Sequence, residues 1–465
     1  IQRWFFEQEL PEPQHWNQSV LLAVSRPLER RWLEPAVGRL LEHHDALRLR
    51  FERGDSGWRQ EHAAAGGEVF FGWADLSGFS PAEQKTALER QAAAAQKGLD
   101  LGRGPLLRVV YFELGAGRGG RLLLVGHHLA LDGVSWRILL EDLQAVYGQL
   151  SRGLPVELPA KTSSFQRWAQ QLERYAQSAE LRQELSYWES QGRRAAGRLP
   201  VDFSGGANTE ASAASVSVSL SAEQSRALVQ QVPAAYGTEI NDVLLAALGQ
   251  ALSRWTGAPA VLVELEGHGR EDLFAELDIS RTVGWFTAAY PVLLDVGREQ
   301  APAAVLTAVK EQLRRVPRRG IGYGLLRYLC AEEPVRQRLA QLPAPQVVFN
   351  YLGQFDQVLP EGGGFAPAVE WRGPERSPAG GRSHLLEING GISGGVLRLE
   401  WTYSENVHRQ RSIEAVAADF IDRLQKLIEH CLSPEAGAYT PSDFPDAGLN
   451  RKDLEELVFE INENA

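Results

Sequence analysis

The chain has 465 residues, of which 44% are hydrophobic and 23% charged, so it is long enough for a globular protein of two or three domains. Its formal net charge of −11 argues against broad nucleic-acid binding, and it contains no apolar run of the roughly 18 residues that predict a membrane span. Two cysteines and no secretory leader argue against a disulfide-stapled secreted protein and predict a cytoplasmic one.

The first half of the chain alternates strand and helix patterns. Apolar runs of alternating or continuous type predict strands, and apolar residues at helical spacing predict helices. The predicted strands are 19–24, 106–112 and 121–126, and the predicted helices are 32–43 and 134–150. Asp132 immediately precedes the second of these helices and is expected to be its N-cap.

The rest of the chain has a similar architecture without a clear sequence repeat, and it includes a stretch rich in glycine, alanine and serine at 193–214 that is expected to be an exposed crossing loop. The predicted helices are 164–189, 222–231, 239–255 and 412–430, and the predicted strands are 214–220 and 260–266. Each half has a central strand that leads polar residues into a loop. We therefore predict an α/β protein with two similar lobes that face each other.

The segment His127–Gly133, with the sequence HHLALDG, places acid/base residues at the end of an apolar strand. A neutral imidazole exchanges protons near physiological pH, so His128 is the first catalytic candidate. His127 is expected to pack or to make a structural hydrogen bond. Asp132 either orients His128 or, as we favour, fixes the loop by capping the helix and pairing with Arg270.

Glu266 is the second catalytic candidate, because it ends an otherwise apolar strand, where a carboxylate is unfavourable without a partner or a function. Partial burial would raise its pKa towards neutrality and suit it to proton transfer. A salt bridge to Arg270 is the structural alternative. Glu264, two residues earlier, shares the same face of a regular strand, so the pattern alone does not single out Glu266.

Two further segments contain side chains suited to a substrate site. Asn350 and Tyr351 follow an apolar run and either donate hydrogen bonds to a carbonyl or enolate oxygen or cap the end of a strand. The aromatic residues Trp285, Phe286 and Tyr290 either line a pocket or belong to the core.

Two other patterns point to structure rather than chemistry. The run His43–Asp45 lies at a helix end without the glycine, and the basic run 314–319 is typical of a solvated face. The sequence contains no phosphate-binding loop, dinucleotide fingerprint, nucleophile elbow or metal-ligand cluster. A reaction on an activated acyl group, without metal or cofactor, is what remains.

Together these motifs resemble the condensation superfamily of nonribosomal peptide synthetases, and within it the epimerization domains. HHLALDG is similar to the superfamily's HHxxxDG motif, which does not by itself distinguish the subclass. The resemblance to epimerization domains rests on longer segments: 1–6 with 15–19, 132–139, 266–271, 282–287 with 290–292, 320–328 and 349–356. It extends to about Phe444.

The resemblance implies a chloramphenicol-acetyltransferase-like fold, in which two lobes form a V-shaped pseudo-dimer with a tunnel between them. We expect residues 1–175 to form the N-terminal lobe, 176–450 the C-terminal lobe and 451–465 an acidic tail or linker. The implied site residues are the catalytic His128 and Glu266, the substrate-binding Asn350 and Tyr351, the structural His127, Asp132, Gly133 and Arg270, and the pocket-lining Trp285, Phe286 and Tyr290.

The resemblance further implies a cofactor-independent isomerase that inverts Cα of an aminoacyl or peptidyl thioester on the 4′-phosphopantetheine arm of a carrier protein. The expected partners are an upstream peptidyl carrier protein, an adenylation domain and a downstream condensation domain of one synthetase. The start at Ile1 and the absence of methionine suggest an excised piece, expected to be monomeric. An amide-forming condensation domain, a free acyltransferase and a non-catalytic carrier-docking domain remain alternatives.

Overall fold

The computed structural model describes residues 1–55, 57–115, 117–193, 196–297, 301–354 and 364–447, together with 450, 452–454 and 456. Most of the expected tail 451–465, and part of the segment 349–356, therefore lie outside the described residues. Within the described part of the chain, no helix is both long and apolar enough to span a bilayer.

The N-terminal part of the chain combines a mixed sheet with covering helices. Its helices are α1 (Gln2–Glu7), α2 (Arg30–His43), α3 (Pro81–Lys97) and α4 (Gly133–Ser151). Its strands are β1 (Asn17–Val24), β2 (Leu49–Gly54), β3 (Gly57–His62), β4 (Phe70–Asp75), β5 (Leu107–Glu113) and β6 (Gly120–His127). The three strands and two helices predicted here are confirmed.

The rest of the chain contains a second sheet and most of the helices. The helices are α5 (Phe165–Tyr175), α6 (Ala179–Arg182), α7 (Leu185–Arg193), α8 (Ala222–Gln230), α9 (Val232–Tyr236), α10 (Ile240–Thr256), α11 (Pro302–Arg314), α12 (Ile321–Gly324), α13 (Glu333–Ala340) and α14 (Gln410–Cys431). The strands are β7 (Ala213–Ser219), β8 (Ala260–Gly267), β9 (Ala288–Asp295), β10 (Val347–Gln354), β11 (Phe365–Pro367), β12 (Leu386–Ser393) and β13 (Val396–Ser404).

The single helix predicted over 164–189 is wrong, because this stretch forms the three helices α5, α6 and α7. Ser178 accounts for the first interruption. Its backbone is extended, and its hydroxyl accepts a hydrogen bond from the backbone N–H of Leu181 at 3.2 Å, which starts α6. Apolar spacing continues through the interruption, so periodicity alone suggests one helix.

The strands form two main sheets and a separate β2–β3 hairpin. The first sheet has the order β11-β1-β6-β5-β4, and the second has the order β7-β13-β12-β10-β8-β9. Strand β11 lies late in the sequence but pairs antiparallel with β1, placing Leu22 opposite Pro367. The first sheet is therefore completed by a segment from the second half of the chain.

Each main sheet packs against its helices through its own large apolar core, and we call each sheet with its core a lobe. In the second lobe, α10 is buried along most of its length. Val283 and Trp285, which lie in the second half of the sequence, are buried in the core of the first lobe. The predicted two-lobed α/β fold is confirmed, and segments from the second half of the chain contribute to the first lobe.

Candidate active site

The HHLALDG segment lies at the junction of β6 and α4. Strand β6 ends at His127, a 3-10 turn spans His128–Ala130, and α4 begins at Gly133. His127 is fully buried, with Nε2 donating to the carbonyl of Pro13 at 2.8 Å and Nδ1 accepting from the backbone N–H of Leu129 at 3.0 Å. Burial lowers the pKa of His127 to about 3, so its contacts are those of a neutral structural group.

His128 is held at both ring nitrogens. Nδ1 lies 2.9 Å from the carbonyl oxygen of Leu131, which only accepts, so this partner assigns the ring proton to Nδ1. Nε2 lies 3.0 Å from the side-chain nitrogen of Gln18 and accepts a hydrogen bond from it. The side-chain oxygen of Gln18 in turn accepts from the indole N–H of Trp136 at 3.0 Å. His128 is therefore a neutral imidazole whose acceptor nitrogen faces Gln18.

The ring of His128 stacks on the indole of Trp285, with ring centres 4.0 Å apart and an interplanar angle of 26°. Burial lowers the pKa of His128 to about 4, against the opposing effect of its hydrogen bond to Leu131. The imidazole is consequently unprotonated at physiological pH and suited to accept a proton.

Asp132 and Arg270 form the pair between lobes that was predicted from the sequence. Nη2 of Arg270 lies 3.1 Å from Oδ1 of Asp132, and only 8% and 5% of the two side chains are exposed. Asp132 also caps α4 by accepting from the backbone N–H of Ser135 at 2.8 Å, and it accepts from the backbone N–H of Phe286 at 3.1 Å. This carboxylate ties the segment that contains Trp285 to the start of α4.

Glu266 lies near the end of β8 in the second lobe. Asn350, on the neighbouring parallel strand β10, donates from Nδ2 to Oε2 of Glu266 at 2.8 Å. The Glu266 side chain is exposed on one side, yet burial by the surrounding protein raises its pKa to about 7, with Arg376 opposing this effect and Glu387 reinforcing it. Such a carboxyl group is about half protonated at neutral pH and can give or take a proton.

Glu264 faces the same side of β8, as the strand alternation predicts. Burial, together with the negative charge of Glu266, raises the pKa of Glu264 to about 8. Its Oε1 lies 3.5 Å from Nε2 of His384, whose pKa burial lowers to about 4. At neutral pH this contact therefore joins two uncharged groups and is not an ion pair.

A network of ion pairs lies beside Glu264 and Glu266. Arg376 donates to Glu210 and to Glu387, each at 3.0 Å, and Arg382 lies 3.2 Å from Glu387. Burial raises the pKa of Glu387, but the charges of Arg376 and Arg382 hold it below its usual range. At neutral pH, Glu387 is therefore ionised, whereas the nearby Glu264 is mainly protonated.

Arg376 connects the two halves of the candidate site. Its guanidinium lies 4.3 Å from the centre of the Trp16 ring, and the carbonyl of Trp16 accepts the backbone N–H of His128 at 3.0 Å. Beyond the effects of burial, the charge of Arg376 lowers the pKa of both His128 and Glu266. These two groups, from different lobes, lie within the electrostatic reach of one arginine.

The remaining candidate residues have contrasting environments. The hydroxyl of Tyr351 is buried without a hydrogen-bond partner among the described residues. Gly133 is exposed, and a Cβ there would meet no atom within 4 Å, so protein packing does not require glycine at this position. Phe286 is buried against Phe165 with ring centres 5.1 Å apart, and Tyr290 is half-buried against the second core. A pocket-lining role for these aromatic side chains stays a prediction.

Within the described part of the chain, one group of side chains has the spacing of metal ligands: His43, His44 and Asp142. Nε2 of His44 lies 2.9 Å from Asp142, which also accepts from Arg281 at 2.6 Å. Both oxygens of this carboxylate are therefore occupied by protein donors, which fits the structural role expected for the His43–Asp45 run.

Three residues that shape the site were not among the sequence-based candidates: Gln18, Trp136 and Arg376. Gln18 is a polar residue near the start of β1, opposite Gly126 of β6. A Cβ at Gly126 would approach the side chain of Leu131 to 2.1 Å, so the glycine gives that residue room to fold back towards His128. The signal that could have identified Gln18 is a polar residue on the strand that pairs with β6, opposite the glycine that precedes His127 and His128.

Comparisons with known proteins show the family to which the chain belongs. A family model described as a condensation domain matches residues 1–449. One of the proteins that make up linear gramicidin synthase in Brevibacillus parabrevis is 48% identical over 462 residues, which make up 98% of this chain and 6% of that protein. The chain therefore corresponds to a small part of this curated relative.

Two solved structures extend the comparison. The epimerization domain from the third module of tyrocidine synthetase B superposes with a TM-score of 0.87 at 36% identity, covering 93% of this chain and 95% of that one. The first condensation domain of the calcium-dependent antibiotic synthetase, solved with a substrate analogue, has a TM-score of 0.67 at 22% identity and covers 94% of this chain and 97% of that one. The second comparison shows a shared fold alone.

Proposed function

The chain belongs to the condensation-domain family of nonribosomal peptide synthetases, and from that premise we propose that it is an epimerase. Its substrate is an aminoacyl or peptidyl thioester held on the 4′-phosphopantetheine arm of a carrier protein. The product is the same thioester with the opposite configuration at Cα. The chemistry uses only side chains of this domain and requires no cofactor bound by it.

The observation that carries this proposal is that Glu266 and His128, on different lobes, are both acted on by the charge of Arg376 and both have pKa values shifted by burial. One is a carboxyl group with a pKa raised by burial to about 7, and the other is an imidazole with a pKa lowered by burial to about 4. Both feel the charge of Arg376. The greater similarity to the tyrocidine epimerization domain than to the condensation domain also supports epimerization.

Inversion requires removal of a proton from one face of Cα and delivery of a proton to the other. The thioester makes Cα–H acidic, because the electron pair left on carbon delocalises onto the carbonyl oxygen as an enolate. In one direction, Nε2 of His128 takes the Cα proton while protonated Glu266 delivers its own proton to the opposite face. In the other direction, the Glu266 carboxylate takes the proton and the His128 imidazolium delivers one.

The pair must hold one proton before and after each inversion. Because the carboxyl group has the higher pKa, that proton rests mainly on Glu266. The sequence and the family resemblance alone favour Glu266 as the principal base, with His128 as the acid on the other face or as a group that stabilises the enolate. We propose instead that neutral His128 is the base in the major form of the pair, because its lowered pKa leaves Nε2 unprotonated at neutral pH, and that Glu266 is the base only in the minor form.

Asn350 and Tyr351 have supporting roles in the proposed reaction. Asn350 donates to one oxygen of Glu266 and so orients the carboxyl group. The unpartnered hydroxyl of Tyr351 is assigned to the thioester oxygen, where a fixed donor stabilises the negative charge that develops in the enolate.

The partners of this activity follow from its substrate. A carrier protein must present the thioester, and an adenylation domain of the same synthetase must load it, while a downstream condensation domain takes the inverted residue. We assign the reaction to the cytoplasm and the isolated domain to a monomeric state. Residues 1–175 and 176–450 are proposed as the main sequence limits of the two lobes, with Val283, Trp285 and strand β11 crossing into the first lobe, and 451–465 as a linker.

The test is an assay of a carrier protein loaded with an L-aminoacyl group, carried out in deuterated water. Chiral analysis of the released product measures inversion, and mass spectrometry measures deuterium at Cα. We expect Glu266→Gln and His128→Ala each to reduce inversion by about 100-fold or more, since each removes one of two proton-transfer groups. Glu276→Gln, an exposed glutamate near the same loop, is the matched control and retains full activity.

Other outcomes would favour the remaining functions. A dipeptide formed from two loaded carriers would identify a condensation domain, and turnover of a small thioester with a free acceptor would identify an acyltransferase. Wild-type inversion in both variants would remove Glu266 and His128 from the mechanism. Unchanged stereochemistry with the wild-type protein would indicate a carrier-docking role.

A further inference from the structure

A short relay of hydrogen bonds runs from α4 through β1 to the acceptor nitrogen of His128. The indole N–H of Trp136 donates to the side-chain oxygen of Gln18 at 3.0 Å, and the side-chain nitrogen of Gln18 lies 3.0 Å from Nε2 of His128. Trp136 is buried and Gln18 is half-buried. The relay is therefore held by the protein interior.

The direction of this relay is fixed by its first member. An indole N–H only donates, so the carbonyl oxygen of Gln18 must face Trp136 and its NH₂ group must face His128. A flipped amide would bring two donors together at Trp136. The NH₂ group of Gln18 can only donate a hydrogen bond. Nε2 of His128 must therefore accept it, which favours the form of the imidazole without a proton on Nε2.

The opposite side of the imidazole reinforces this arrangement. Nδ1 donates to the carbonyl of Leu131 at 2.9 Å, and Trp285 covers one face of the ring. The charged groups that act on His128 are Asp132, which favours its protonated form, and Arg376, which disfavours it. Both charges change the pKa of His128 less than burial does. Burial and the relay each favour the neutral form of the imidazole.

We propose that Gln18, oriented by Trp136, is a positioning residue that holds His128 as the neutral Nδ1–H tautomer. This inference rests on the proposed epimerase function for its catalytic meaning, because it assigns neutral His128 as the acceptor half of the pair. The amide covers the Nε2 lone pair in the free enzyme. The substrate must displace this amide group for Nε2 to reach the Cα proton, and the displaced amide then lies beside the substrate.

Gln18→Glu is the most informative variant, because it preserves shape while replacing the NH₂ donor by an acceptor oxygen. Trp136 still donates to one carboxylate oxygen, and the other oxygen now accepts from a protonated Nε2. We expect the pKa of His128 to rise by about one unit or more. The measurement is a pH titration of ¹⁵N-labelled histidine by NMR, with the His128→Ala variant identifying the signal.

Two more variants keep the test independent of any folding defect. Gln18→Met removes the hydrogen bond but retains side-chain length, and Trp136→Phe removes the donor that orients the amide. Because Nδ1 can still donate to Leu131 in both variants, we expect the Nδ1–H tautomer to remain the major form, with a fraction of the Nε2–H tautomer now detectable in the nitrogen chemical shifts of His128. Gln60→Glu, the same exchange at an exposed strand position, is the matched control and leaves the His128 signals unchanged.

The inversion assay gives the second readout. In Gln18→Glu, the acid limb of the inversion profile moves to higher pH by the same amount as the pKa measured for His128. His128 signals that match the wild type in all three relay variants would overturn the inference. An altered His128 titration together with no inversion by the wild-type protein would support the positioning role and reject the proposed epimerase function.

Discussion

The two halves of the candidate site are built in different ways. In the first lobe, His128 has a hydrogen-bond partner at each ring nitrogen and an indole stacked on its face. In the second lobe, the described side-chain contacts of Glu266 reduce to one hydrogen bond from Asn350, and its side chain is exposed on one side while protein surrounds it on the other. The hydroxyl of Tyr351, on the same strand as Asn350, is unpartnered within the described residues.

In the proposed mechanism, His128 is a proton acceptor held in place by direct contacts, whereas Glu266 is a proton donor whose pKa depends on its surroundings. The histidine is locked by direct contacts, so its protonation depends on a few neighbours at hydrogen-bond distance. The glutamate takes its protonation from burial and from the charges of Arg376 and Glu387, which belong to a network outside its own strand. One half of the site is therefore sensitive to single contacts and the other to the local electrostatic field.

The largest expected effect comes from breaking the buried pair that joins the two halves. Arg270→Met leaves the Asp132 carboxylate buried without its guanidinium partner, which destabilises a protein by about 3–5 kcal/mol. Because the same carboxylate holds the segment of Trp285, inversion should fall together with stability. Urea unfolding followed by intrinsic fluorescence measures the first effect and the chiral assay measures the second.

The control for this prediction is an ion pair at the protein surface. Arg254 and Asp419 lie 3.5 Å apart with most of the arginine exposed, so Arg254→Met should change the free energy of unfolding by less than about 1 kcal/mol. Equal losses in the two variants would contradict the assignment of Arg270 as the joining residue.

The pH dependence of inversion tests the shared proton directly. Two-sided transfer requires one proton on the pair, so the rate should decline below about pH 4, where His128 also protonates, and above about pH 7, where Glu266 ionises. Above pH 7 we expect about a tenfold loss per pH unit. A profile that stays flat from pH 6 to pH 9 would exclude Glu266 as the proton-bearing group.

The smallest expected effect is on the stability of a Glu264 variant. Glu264 has no role in the proposed reaction, so replacing it tests only the electrostatic surroundings of the two glutamates. Burial raises its pKa to about 8, so the native state binds more protons than the unfolded state between the ordinary carboxyl pKa and about pH 8. Its contribution to stability is present at low pH and is lost as pH rises. Glu264→Gln should therefore gain about 1 kcal/mol over the wild type at pH 9 but not at pH 4.

Thermal unfolding of the two proteins at both pH values checks this last expectation. The neutral pairing with His384 limits the gain, since that imidazole can take up charge when Glu264 ionises. A variant that is less stable than the wild type at pH 9 would mean that Glu264 is ionised in the native protein.

Much of the first lobe could be predicted because its signals are local. Strand β6, the turn at His128 and helix α4 follow one another in the sequence, so apolar periodicity and the Asp132 cap locate them. The Asp132–Arg270 pair was also predicted, since both residues flank strand ends that face each other. The strand and helix patterns predicted two α/β lobes, and the resemblance of the motifs to a known family added the chloramphenicol-acetyltransferase-like type of fold.

The second half of the site depended on contacts that sequence spacing does not encode. Arg376 lies in a segment rich in glycine and proline that reads as a loop, yet it is paired with Glu210 and Glu387. Glu264 and Glu266 share one face of β8, so the sequence pattern does not distinguish them. The structure does, because Glu264 contacts His384 and Glu266 accepts a hydrogen bond from Asn350. Long-range packing, not local propensity, decides these assignments.

The strand that crosses from the second half into the first sheet also limits where this chain can be divided. Strand β11 completes the first sheet, although residues 365–367 follow most of the second lobe in the chain. A fragment that ends near residue 175 would leave the outer edge of β1 bare and open to pairing with another chain. A chimaeric chain joined between the lobes should therefore fold only when its second half supplies a strand that pairs with β1 as residues 365–367 do.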